Sequence, residues 1–382
     1  MSLQVAPPVV AQTKTRRHAY ADNLKVLLVA GVIAGHVTMA WTANEAWVLD
    51  EPPVREPLLT LLNLVALVGV LFAMATFFLI AGSFTPRSLE RKGPRRFVVD
   101  RMVRLGVPLA FYLLALAPLV EYADSDFEGW DHGFPAFVLH IWRHPAPGPM
   151  WFLEVLLLFS FAYVVVRTVR PIPTAASTPM RARNLLAIGL FVAITSFAIR
   201  IVAPFGEEVV QDLYLGQTPA WVAGFTLGIV GAERGWFDRI SPATSRWLFR
   251  IAWSAVAGVV TVVSVTVGAM GGDIDDFFGG GTWQSLVLAL LEGALVVAMP
   301  LWLFDAFRRR VHHQGQLMRT MSRAAFAAFV VHQVVAVGVV LATRYVSWPP
   351  EVEFVVAAAL AVIVSFGIGA LLVRLPGVSR IV

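Results

Sequence analysis

Long apolar runs constrain this chain more than any other feature. Stretches of about 17 residues or more, bounded by charges or by Pro and Gly, occur at 24–43, 58–83, 105–123, 150–169 and 184–203. Five more follow at 213–232, 247–270, 283–304, 324–343 and 353–373. A helix rises 1.5 Å per residue, so about 20 apolar residues cross the hydrocarbon core of a bilayer. The pattern predicts an all-α integral membrane protein, a bundle of about ten transmembrane helices. The run 213–232 is Gly-rich and broken by Pro219, which a packed membrane bundle tolerates. Composition agrees: only 14% of the residues are charged, against roughly 25% in a soluble domain.

The basic residues predict an orientation. Of the 30 Lys and Arg, only Arg55, Arg143, Arg200 and Arg344 fall in one set of alternating loops, one in each of four. The positive-inside rule then makes the other set cytoplasmic, with both termini. The expected organisation is a cytoplasmic segment 1–23, a membrane domain 24–374 and a cytoplasmic tail 375–382, the whole being multi-pass in the plasma membrane. The first 23 residues lack the small-residue cleavage pattern of a signal peptide, so the first helix is expected to be retained. A net charge of +5 does not indicate a nucleic-acid partner, because the basic residues are divided among membrane-flanking loops instead of forming one water-facing patch. The outer loops carry carboxylates, in "EYADSDFEGWDHG", "GEEVVQD" and "GGDIDDFFGGG", whose plain reading is solvation. The longest, 124–149, contains the apolar piece "FPAFVLHIW" and reads as a re-entrant or lid segment.

Several chemistries are excluded. The chain has no cysteine, which removes disulfides, thiolate metal sites and a cysteine-linked acyl intermediate. It lacks HExxH, P-loop and GxSxG motifs, and His312 and His313 sit among arginines, so no metal is expected.

Four ionisable residues lie well inside the runs: His36, Glu154, Glu292 and His332. Charge or imidazole at that depth is costly and each is therefore a candidate functional residue. His36 follows Lys25 by eleven residues, close to three helical turns and roughly 16 Å. One helix face thus joins a cation at the cytoplasmic mouth to an imidazole near the midplane. The structural alternatives are a snorkelling anchor for Lys25 and a polar interhelical contact for His36. Arg101 and Arg104, spaced i, i+3 in the basic loop "PRSLERKGPRRFVVDRMVRLGVPL", form a pair suited to phosphate oxygens; topology and anionic headgroups explain the same charges. Glu154, about one turn inside the outer face, is suited to orienting an imidazole or binding acceptor hydroxyls, or to reaching back to water. His332, two turns into the ninth run, has a similar pair of readings. Glu292 has no evident partner.

At these residues the sequence resembles the acyltransferase 3 family of multi-spanning membrane acyltransferases, some of which acylate periplasmic glucans. Asp22, Lys25 and His36 match the family's opening aspartate, basic residue and histidine, with lysine in the slot where arginine is more usual. "TFFLIAGSFTPRSLERKG" is similar to its second span, Arg101, Arg104 and "LGVPL" to its arginine pair and Leu-x-x-Pro, "MWFLEVLLLFS" to its Trp-Phe-Leu segment and "FAAFVVHQ" to its late histidine. The resemblance implies an acyl-CoA donor, acetyl-CoA or succinyl-CoA, entering from the cytoplasm and an acceptor hydroxyl on an extracytoplasmic glycan or glycolipid. It implies Asp22, Lys25, Arg101 and Arg104 around the donor, and His36, with Glu154 or His332 in support, at the reaction centre. The competing class is a transporter or exporter of an anionic solute or lipid-linked sugar, with the same residues lining its path.

Overall fold

The computed structural model describes residues 19–42, 47–123, 132–170, 179–207 and 214–381. Most of the acidic stretches 121–133 and 206–212, and nearly all of the N-terminal segment, lie outside these residues. The helices are α1 Ala19–Met39, α2 Leu58–Lys92, α3 Pro94–Glu121, α4 Gly133–Arg143, α5 Trp151–Val169 and α6 Ala182–Arg200. They continue with α7 Thr218–Glu233, α8 Pro242–Ala269, α9 Trp283–Arg310, α10 Gln316–Thr343 and α11 Pro350–Leu372. There is no strand among the described residues.

Among the described residues nine helical segments are long and apolar enough to cross a membrane, α4 and α5 together forming one of them. The tenth expected span is shorter: α7 has 16 residues, beginning at Thr218 with Pro219 in its first turn. It lies against α2 with backbones in contact. A Cβ on Gly224 would stand 2.4 Å from the carbonyl oxygen of Ala75, one on Gly228 2.2 Å from that of Leu79, and one on Gly82 2.3 Å from that of Phe225. Small residues four apart let membrane helices approach this closely, and van der Waals packing then holds them. Gly228→Ala is therefore expected to destabilise the protein by about 1–3 kcal/mol, the usual cost of overpacking. Gly338→Ala is the control, since nothing lies within 4 Å of that Cβ and alanine is the better helix former. Thermal midpoints of the purified variants should fall for the first and hold or rise for the second.

Two departures from regular helix shape the interior. α3 contains π-helical turns at Met102–Gly106 and Tyr112–Leu116. Each precedes a proline, Pro108 or Pro118, by two residues. Proline has no N–H for the carbonyl four residues back and its ring crowds that oxygen, here Arg104 or Leu114, so the ladder widens locally. The second departure is at α1. The apolar run 24–43 stays helical only to Met39, and the chain then folds back over the helix end. The Glu51 N–H donates to the Ala40 carbonyl at 2.9 Å and the Val54 N–H to that of Trp41 at 3.1 Å. Trp41, Trp47 and Leu49 are buried there.

The buried apolar residues fall into two clusters. One draws chiefly on α1, α2, α3, α5, α7, α10 and α11; the other draws chiefly on α1, α2, α8 and α9, with α6 and α7 contributing Leu185 and Leu227. Arg200, expected in an outer loop, is instead the last residue of α6 and is fully buried. Its Nη2 contacts both carboxylate oxygens of Glu292 on α9, at 2.8 and 2.7 Å. Its Nε donates to the Gly216 carbonyl at 3.0 Å, and its guanidinium lies 4.6 Å from the Phe205 ring centre. Ninety-two residues of sequence separate the two charges, which is why Glu292 had no partner legible in its own run.

Candidate functional site

α1 and α10 pack side by side, and their histidines meet. His36 Nδ1 lies 3.3 Å from His332 Nε2, with ring centres 5.0 Å apart. His332 is completely buried, whereas His36 is partly accessible. His36 stands in the last turn of α1, beneath the folded-back segment that contains Trp41.

Carbonyl oxygens only accept hydrogen bonds, and this settles the tautomers. His332 Nδ1 is bonded to the Phe329 carbonyl and so carries a proton there, leaving Nε2 of the neutral ring as an acceptor. His36 Nδ1 is 3.0 Å from the Val32 carbonyl, and it likewise carries the proton, shared with His332 Nε2. The second nitrogen of His36, Nε2, is then an unprotonated acceptor, and it has no hydrogen-bond partner among the described residues. A ring held in one tautomer with an available lone pair is what a general base requires.

Aromatic side chains fix His332 from the other side. The Phe329 ring stacks on it, with centres 5.4 Å apart. Phe152 meets Phe329 edge-on at 6.2 Å and lies 4.8 Å from Phe78. Trp151 stacks on Trp221 at 4.3 Å. The segment "MWFLE" therefore reaches the histidines through Phe152. Glu154 from the same segment is exposed and makes no hydrogen bond or ion pair with a described residue. The structure does not bring it to His36; His332 and the Val32 carbonyl orient that ring.

Toward the other end of α1, Lys25 pairs with Asp22 at 3.3 Å, and its ammonium lies 5.1 Å from the centre of the Phe84 ring. Arg101 Nη2 reaches the hydroxyl of Thr85, at 3.4 Å. Lys25 and Arg101 thus contact consecutive residues of α2. The two arginines do not share one face as their spacing predicts. The π turn begins between them and separates their directions: Arg101 turns inward over Phe97, 5.0 Å from its ring centre, while Arg104 is exposed and held 3.2 Å from Asp100. Asp100 also takes Lys92 at 2.5 Å. Among the described residues Arg101 has no ion pair, and its buried Nε has no hydrogen-bond partner there. Asn23 ties the α9–α10 connection to this region, donating to the carbonyls of Val311 and His313 at 2.7 and 3.1 Å.

One cluster at the site has no counterpart in the sequence reading. The hydroxyl of Tyr112, on the second π turn of α3, donates to Gln333 Oε1, one residue beyond His332. Gly148 closes over both. Its φ is +47°, and a Cβ there would lie 2.7 Å from the Tyr112 oxygen and 3.1 Å from Gln333 Oε1. The available signals were a glutamine in an apolar helix and prolines ten residues apart in α3.

The fold and site together define a multi-pass membrane protein with a histidine pair embedded in its helix bundle and cations toward the basic end of α1. The chain belongs to the acyltransferase 3 family: the family's model, described as an acyltransferase domain, matches residues 18–373, nearly the whole chain. It is a membrane acyltransferase. Comparison with curated proteins and with solved structures finds no match.

Proposed function

We propose that the protein transfers an acyl group, acetyl or succinyl, from cytoplasmic acyl-CoA to a hydroxyl of a glycan or glycolipid on the outer side of the plasma membrane. The observation that carries this reading is the contact between His36 and His332, which leaves His36 Nε2 as the available base. The acceptor hydroxyl loses its proton to that nitrogen as its oxygen attacks the thioester carbonyl, a role worth about 10²–10⁴-fold in rate. His332 holds the ring and stabilises the imidazolium that forms. Direct transfer fits a chain with no cysteine.

At the cytoplasmic mouth, Arg101 is the foremost ligand for the donor's phosphates, because its guanidinium has no carboxylate partner among the described residues. Lys25 assists it from α1, with Asp22 holding the ammonium in place. The rise from Lys25 to His36 is roughly 16 Å, a distance of the order that an extended pantetheine arm covers. Membrane lipids surround the bundle, and nucleic acid has no role.

The arginines are tested by coenzyme A binding to the purified protein. Losing a hydrogen bond to a charged group costs about 1.5–3 kcal/mol, so Arg101→Ala should raise the dissociation constant by about tenfold or more. Arg104→Ala, at an exposed residue already tied to Asp100, should change it far less. Unchanged affinity in Arg101→Ala would return these charges to membrane topology alone.

A further inference from the structure

The amide of Gln333 is anchored at one end only. Its oxygen accepts the Tyr112 hydroxyl, while its nitrogen makes no hydrogen bond to a described residue and, in a side chain 6% exposed, is not one of the fully enclosed polar atoms that lack a partner. Three separate elements define its position: the π turn of α3 through Tyr112, the turn before α5 through Gly148, and α10 itself. Only glycine at position 148 leaves room for the Tyr112–Gln333 contact, since a Cβ would stand 2.7 Å from the phenolic oxygen and the backbone is left-handed. The residue before Gln333 is His332, the partner of the base.

We infer that Gln333 is the oxyanion donor of the acyl transfer, its two N–H groups directed to the carbonyl oxygen of the thioester by the Tyr112 hydroxyl. This assignment rests on the acyl-transfer reading given above. As the acceptor oxygen bonds to the carbonyl carbon, the C=O π pair moves onto oxygen and the hydroxyl proton passes to His36 Nε2. The oxyanion then re-forms C=O, the C–S bond breaks, and the coenzyme A thiolate leaves with the proton from His36. The products are one ester and one thiol. Charge develops on the carbonyl oxygen only in the transition state, and a donor already held in position stabilises it without reorganising. Tyr112 is a positioning residue: it occupies the amide oxygen and so determines which end of Gln333 faces the reaction.

The test uses the full-length purified protein with acetyl-CoA and succinyl-CoA as donors, following thiol release both to a glucose oligosaccharide and to water. Both acceptors pass through the same oxyanion. Gln333→Leu, and the isosteric Gln333→Glu, are expected to lower kcat by about 10²–10³-fold. Donor KM, coenzyme A binding, thermal midpoint and the acid limb of the pH–rate profile should stay near wild type, which a merely structural role would not produce. Tyr112→Phe is expected to lower kcat by about tenfold or more in the same pattern. An active wild type with Gln333→Leu within about twofold of its kcat would overturn the oxyanion assignment and leave His36 as base. A Gln333→Leu protein that loses donor binding and thermal midpoint along with kcat, while Gln333→Glu keeps full activity, would also overturn it. Wild-type protein that releases no thiol from either donor would overturn the acyl-transfer reading itself, and the Gln333 assignment with it.

Discussion

Replacing His36 with alanine is expected to lower acyl transfer by about 10²–10⁴-fold, the contribution of a positioned general base, while coenzyme A binding persists. His332 Nδ1 is committed to the Phe329 carbonyl, so His332 offers its neighbour an acceptor and nothing to donate. His36 meets it with its Nδ1 side, which leaves Nε2 as the one nitrogen of the pair whose lone pair no described residue engages. His332→Ala is expected to be less severe, because the Val32 carbonyl still holds the His36 tautomer while the stabilisation of the imidazolium is lost. Acid should abolish the activity of the wild type as His36 takes up a proton and ceases to accept one. Steady-state rates of the purified variants, with thermal midpoints to show that they are folded, separate these effects. A His36→Ala protein as active as wild type would remove the base from the mechanism.

The largest expected effect on stability is at Arg200. Breaking a buried ion pair by deleting one partner strands the other charge, at a cost of about 3–5 kcal/mol. Glu292 would be stranded in this way, at 1% exposure in the interior of α9. The cost should be compounded here, because Arg200 also donates to Gly216 and covers Phe205, tying the chain between α6 and α7 to the bundle. Arg200→Ala and Glu292→Ala should each lose several degrees of thermal midpoint or fail to accumulate as folded protein. The double replacement Arg200→Met/Glu292→Leu should recover most of the loss, since matched apolar side chains often replace a buried pair at little cost. A single variant that melts with the wild type would show that the pair is more hydrated than its burial indicates.

The contrast between these two sites marks what a single sequence reveals. Apolar runs located the spans because crossing a bilayer demands length and hydrophobicity together, requirements visible residue by residue. Helix ends were less legible. The run 24–43 looks uniform, yet the chain leaves the helix after Met39, because Trp41 and the residues near Val54 bond back over its end. Arg200 looked like a loop residue because a charge closes an apolar run; only the approach of α6 to α9 supplies the carboxylate that lets it be buried.

The candidate residues were legible one at a time, through the cost of polar groups at depth, but not as partners. His36 and His332 are 296 residues apart, and Tyr112 and Gln333 are 221 apart; no local pattern records such pairings. Spacing misled where the helix was irregular. Arg101 and Arg104 share a face of an α-helix, but the π turn before Pro108 sends one inward and the other to the surface. Glu154 is the acidic residue of its segment, whereas Phe152 is the one that packs against Phe329 beside the site.

The central claim is that a thioester is broken at the histidine pair, and the release of free coenzyme A tests it most directly. Purified protein in vesicles, given acetyl-CoA or succinyl-CoA on the side of the basic loops, is predicted to release thiol in step with ester formed on an acceptor across the membrane. That release should be lost in His36→Ala. Movement of an intact anionic solute across the vesicle membrane with no thiol released would contradict the account and identify the polar path as a transport route.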